Sequence, residues 1–146
     1  MCRVDRANQT ERVTVVVADD VPDYRWLIRF TLMSGGPDKI TIVGEAEDGH
    51  EALALLLRHH PDIVISDLRM PRLNGLELAR RIKQERPETA VILVSAHTEE
   101  MHRRMAAVSG ADAFINKQAL AYNLVPLIQE VLSRRPSAFS LGHEGS

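Results

Sequence analysis

The chain has 146 residues, 45% hydrophobic and 26% charged, with 18 basic against 20 acidic side chains and a formal net charge of -2. This composition suits one domain with a single core, excludes the disordered and fibrous classes, and gives no sign of a nucleic-acid or membrane surface. The single cysteine, Cys2, has no partner for an internal disulfide and fits a reducing compartment.

Residues 1–12 mix charges with Asn and Gln and carry no apolar stretch of the kind a secretory signal needs, so they read as a flexible N-terminal segment. Residues 13–18 (VTVVVA) form a short β-branched run, the pattern of a strand buried on both faces of a parallel sheet, and it ends in Asp19-Asp20. Pro22 suits a first helical position with Asp20 or Val21 near the cap, and Tyr24, Leu27, Ile28, Thr31 and Leu32 follow at helical spacing up to Gly35-Gly36-Pro37. A second strand is expected over residues 40–45. Gly49 then opens a helix over residues 51–60, striped by Ala52, Leu53, Leu56 and Leu57 and stopped by Pro61. The longest apolar run, residues 52–57, is far short of a membrane span, so a soluble cytoplasmic protein is expected.

Ile63-Val64-Ile65 reads as a third buried strand ending at Ser66-Asp67. A polar loop through Pro71 and Gly75 leads to a helix over residues 76–85. A fourth strand covers residues 90–94, and a helix over 98–109 starts at Thr98, carries Glu99 and Glu100 in its first turn, and stops at Gly110. Ala113-Phe114-Ile115 is the fifth strand, and residues 120–132 the last helix, with Leu124, Leu127, Ile128 and Val131 inward. Residues 133–146 turn rich in Pro, Ser and Gly and read as a flexible tail or a truncated linker. Strict strand–helix alternation with right-handed crossovers forces a mostly parallel sheet covered on both faces, a doubly wound α/β domain over residues 13–132. Periodicity leaves the strand order open.

In such a sheet, ligands gather outside the carboxyl ends of the strands. There the first strand delivers Asp19 and Asp20, the third Asp67, the fourth Ser95 and the fifth Lys117. Crowded carboxylates resist ionisation unless a cation offsets them, and a hard divalent ion such as Mg²⁺ takes oxygen ligands of this kind. A carboxylate beside such an ion is a plausible nucleophile toward phosphorus, and an ammonium and a hydroxyl can meet the charge on the transferring group. Taken singly, each residue has a plainer reading: Asp19-Asp20 as a helix cap, Asp67 as a turn residue before Pro71, Lys117 as a solvated side chain, Ser95 as a loop hydroxyl and Phe114 as ordinary core. Their joint placement at strand ends is what favours a site. His59, His60, His97 and His102 match no metal-ligand spacing and read as surface residues.

Val17-Ala18-Asp19-Asp20, the run from Ile65 through Asp67, Met70 and Pro71 to Gly75, Val94-Ser95-Ala96 and Phe114-Ile115-Asn116-Lys117 resemble the receiver domains of response regulators. The resemblance implies a five-stranded flavodoxin-like (βα)5 fold of strand order 2-1-3-4-5. It also implies Asp67 as acceptor of a phosphoryl group from a sensor histidine kinase. Asp19, Asp20, Asp67 and the Arg69 backbone carbonyl would hold Mg²⁺, with Mn²⁺ as a substitute and Asp20 the more direct ligand of the acidic pair. Ser95 is implied as the switch hydroxyl, Lys117 as the phosphoryl partner and Phe114 as the switch aromatic. Arg69 and His97 match positions that tune phosphoryl lifetime.

Two departures stand out: Gln118 follows Lys117 where the family often has a cis proline, and Phe114 lacks a hydroxyl. The chain also resembles receivers that precede a helix-turn-helix domain, so DNA would be reached only through an output domain outside this sequence, with a homodimer on phosphorylation as an option. A haloacid-dehalogenase-like phosphatase is the enzymatic alternative. It wants a second Asp two residues after the nucleophile, where Arg69 stands and cannot act as a general acid. A receiver-like binding module that works without phosphorylation is the non-enzymatic one.

Overall fold

A computed structural model describes residues 12–35 and 40–134. The Cys2 reading and the Gly36-Pro37 stop lie outside these residues, as do nearly all of the expected N-terminal segment and tail. Five strands, β1 (Val13–Ala18), β2 (Ile40–Ala46), β3 (Ile63–Asp67), β4 (Ala90–Ser95) and β5 (Ala113–Asn116), alternate with five helices. The helices are α1 (Pro22–Gly35), α2 (Gly49–His59), α3 (Gly75–Glu85), α4 (Glu99–Ser109) and α5 (Leu120–Arg134), the last preceded by a 3₁₀ turn (Lys117–Ala119). All strand pairs are parallel, in the order β2-β1-β3-β4-β5. Among the described residues no helix is long and apolar enough to cross a membrane.

Side chains alternate across a strand, so each β-branched run serves two cores. Val15, Val17, Ile63, Ile65, Ile92 and Val94 face α1 and α5, meeting Ile28, Leu32, Leu124 and Ile128. Val16, Ala18, Val64, Val91 and Leu93 face the other way, onto Ala52, Leu56, Leu78, Ile82 and Met105 of α2, α3 and α4. The central strands are therefore nearly continuous apolar runs, as burial on both faces requires.

Three helices begin on side-chain caps: Asp48 accepts from the Glu51 N–H, Asn74 from Glu77 and Thr98 from Met101. α2 ends one residue earlier than the sequence suggests. His60 adopts the left-handed conformation at φ 49° and donates its N–H to the Leu56 carbonyl, because a residue before proline is kept out of the helical region. α5 runs two residues past Leu132 and contains Pro126, whose effect on the helix the apolar stripe does not reveal.

Candidate functional site

The strand order places the carboxyl ends of β1, β3, β4 and β5 side by side, and the loops that follow them form one hollow. Asp19, Asp20 and Asp67 each bring a carboxylate oxygen to within 4.8 Å of the others. Lys117 reaches back from the turn after β5, its Nζ 3.2 Å from Asp67 Oδ1. Ser95 closes β4, and the hollow of about 270 Å³ between them is lined by Asp67, Arg69, Ser95, Ala96, His97 and Lys117.

Each side chain is held by its own loop. The Val21 N–H donates to Asp19 Oδ1 at 2.9 Å as α1 begins, and Arg25 donates to the Asp19 carbonyl at 2.6 Å. The Arg69 N–H donates to Asp67 Oδ2 at 3.2 Å. Gly75, at the start of α3, lies so near the acceptor that a Cβ there would sit 2.5 Å from the Asp67 carbonyl oxygen. Only a residue without a side chain lets α3 pack this close. The Lys117 ammonium also lies 4.2 Å from the centre of the Tyr24 ring, a cation–π contact. Tyr24 reads in the sequence only as part of the α1 stripe.

Burial dominates the electrostatics. It raises the Asp19 carboxyl to about 6, against a lowering contribution from the Val21 N–H and a further rise from the neighbouring Asp67 charge. Asp67 is also pushed up by burial, with Lys117 opposing. One lysine does not offset three carboxylates. Asp19 Oδ2, buried, has no hydrogen-bond partner at all. A buried carboxylate oxygen without a donor, in a cluster of hard oxygen ligands, is what a divalent cation would satisfy, so the residues present fit Mg²⁺.

The Lys117–Gln118 peptide is trans, as is every peptide bond among the described residues. In place of proline, Gln118 donates its N–H to Asn116 Oδ1 and starts the 3₁₀ turn. Two histidines read as surface residues are instead part of the site. His97 and His102 are only partly exposed, and both rings bond Ser95 Oγ, at 3.2 Å through His97 Nδ1 and 3.0 Å through His102 Nε2. His102 also stacks on Phe114. His59 and His60 are exposed, in keeping with the sequence reading. Metal-ligand spacing was the wrong signal for His97 and His102, since their common partner is a hydroxyl.

The sequence matches the response regulator receiver domain over residues 15–129. The transcriptional regulatory protein NarL of Mycobacterium tuberculosis (strain H37Rv) is 35% identical over 128 residues, covering 87% of this chain and 58% of that protein. The chain thus spans less than two thirds of that relative. A 14.6 kDa protein of Leptolyngbya boryana is 35% identical over 121 residues, covering 82% of this chain and 89% of that one. Among solved structures, the signal receiver domain of M. tuberculosis NarL superposes with a TM-score of 0.78 at 34% identity, covering 86% of this chain and 99% of that domain. The response regulator domain of Thermotoga maritima CheB gives 0.72 at 29%, covering 84% and 95%. Family match, sheet order and structural neighbours agree: this chain belongs to the receiver domains of two-component response regulators.

Proposed function

We propose that Asp67 accepts a phosphoryl group from a phosphohistidine on a sensor histidine kinase and that the resulting charge switches the surface around α4, β5 and α5. Receiver domains of NarL-type regulators are signalling switches, and enzymatic activity in relatives such as CheB resides in separate domains. The observation that carries the reading is the convergence of the Asp19, Asp20 and Asp67 carboxylates, with Lys117 ion-paired to Asp67.

In the transfer, an Asp67 carboxylate oxygen forms the new bond to phosphorus as the phosphorus–nitrogen bond breaks, and the departing imidazole nitrogen takes up a proton. Burial keeps Asp67 poorly hydrated and so available as a nucleophile. Lys117, already ion-paired with Asp67, turns to an oxygen of the phosphoryl group, and the Ser95 hydroxyl can donate to another. Mg²⁺ held by Asp19, Asp20, Asp67 and the Arg69 carbonyl would supply neutralisation of the phosphoryl oxygens. The Arg69 and His97 side chains border the same hollow and control water's approach to the acyl phosphate. As Ser95 turns inward, Phe114 follows into the vacated space, and the groove lined by Glu99, His102, Phe114, Asn123 and Glu130 changes shape. The unit that does this comprises residues 13–132. It acts in the cytoplasm, and its output is transcription through a DNA-binding domain outside this sequence, with dimerisation on phosphorylation as the coupling.

The test is the intact mass after incubation with acetyl phosphate and Mg²⁺. Wild type should gain one phosphoryl group, D67N none, and K117A much less. A wild-type chain that gains nothing would identify a binding module that works without phosphorylation.

A further inference from the structure

The Ser95 hydroxyl has one proton and two lone pairs. Three groups occupy it. The His97 backbone N–H donates to Oγ at 2.9 Å, and the two imidazoles lie 3.0 and 3.2 Å away. With one lone pair taken by the amide, one ring must receive the hydroxyl proton and the other must donate an N–H. The shorter contact, to His102 Nε2, is assigned to the O–H donor, since hydroxyl donors make the shorter bonds. The same His102 ring lies over Phe114, with centroids 4.8 Å apart and planes 18° from parallel. One side chain of α4 therefore grips the hydroxyl of β4 and the aromatic ring of β5.

We propose that His102 is a positioning residue that latches the unphosphorylated state, accepting the Ser95 proton and stacking on Phe114, so that a phosphoryl oxygen on Asp67 must displace it to capture Ser95. The inference rests on the reading of Ser95 as a phosphoryl partner. Its cost to activation is one hydrogen bond, because Ser95 cannot donate its single proton twice. Release of the bond also frees the ring that blocks Phe114, so the two movements are tied through His102 and need no direct contact with each other.

The latch needs neutral His102, since a doubly protonated ring has no acceptor. Burial, then the neighbouring His97, lowers its affinity for a proton, while Glu99 works the other way. Across the groove α5 adds Glu130, beside the uncharged Asn116 and Asn123, and Lys117 and Asp67 line the hollow that Ser95 also borders. Acid conditions therefore open the latch and favour the phosphorylated arrangement.

The experiment titrates beryllofluoride, a phosphoryl mimic, with Mg²⁺ into the full chain from pH 5 to 8, a range that extends below the ordinary imidazole value because burial lowers His102, reading the amide resonances of Ser95 and Phe114. Comparison is made among wild type, H102L, which keeps bulk without an acceptor, and H102Q, which keeps an acceptor that does not titrate. At pH 8, H102L should bind the mimic about three- to tenfold more tightly than wild type, the size expected of one hydrogen bond. H102Q, which keeps the acceptor but not the ring over Phe114, should fall between the two at that pH, and wild type should gain on it as the pH falls. H102L and wild type with equal affinities, or wild-type and H102Q profiles that run parallel, would overturn the latch while leaving phosphoryl capture by Asp67 standing. A wild type that ignores the mimic altogether would overturn both.

Discussion

At the residue scale, the site is organised around an imbalance of charge. Burial raises the proton affinity of the Asp19 carboxyl to about 6 against an ordinary 3.8. The folded chain thus holds that proton more tightly than the unfolded chain does. The stability contributed by protonated Asp19 is fully present below pH 3.8 and is lost as the pH rises through 6. Without divalent ions, the stability of wild type relative to D19N should fall between pH 4 and 6 in urea titrations. Saturating Mg²⁺ should flatten that fall, because the ion substitutes for the proton on the unpartnered oxygen. A difference that stays level without Mg²⁺ would show that Asp19 is better solvated than its burial implies. Acidic side chains after the first strand are plain in the sequence, but their proton affinity is not, since it depends on how much protein surrounds them.

At the element scale, α3 and α4 do more than cover the sheet. α3 starts at Gly75, whose N–H bonds the Leu68 carbonyl at 2.8 Å and whose missing side chain makes room for the Asp67 backbone. In G75A the added carbon meets backbone rather than a pliable side chain, so the loop carrying the acceptor must move. We expect a loss of about 1–3 kcal/mol in urea unfolding, as for other overpacked sites, together with slower phosphorylation by acetyl phosphate. Unchanged values for both would mean that the loop has slack. Gly75 is legible in the sequence as a turn residue, whereas its pressure on Asp67 is not. The same holds for α4. Its Thr98 cap and acidic first turn can be read locally, but the grip of His102 on Ser95 requires α4 to fold back over the end of β4.

At the scale of the whole molecule, the sheet carries two cores that share its central strands. Ile92 on β4 is fully buried toward α1 and α5, so I92A should cost about 2–5 kcal/mol in chemical unfolding. Trp26, 53% exposed and stacked on Phe30 at the surface of α1, should cost far less when replaced by alanine. Because β3 and β4 belong to both cores, I92A should unfold in one transition when followed by tryptophan fluorescence and by far-ultraviolet circular dichroism. Two separated transitions would indicate that the faces are independent.

The succession of strands and helices, the parallel sheet and the acidic, hydroxyl and lysine tips were all determined by the sequence alone. Apolar period, caps and breakers act over a few residues, and a strand end is a local event. The tertiary structure decided what lies between distant segments: the 3.2 Å contact of Lys117 with Asp67, the Tyr24 ring beside that lysine, and the two imidazoles on Ser95. Those contacts come from loops brought together by strand pairing and helix packing, and burial then sets their proton affinities. Neither effect leaves a periodic trace along the chain.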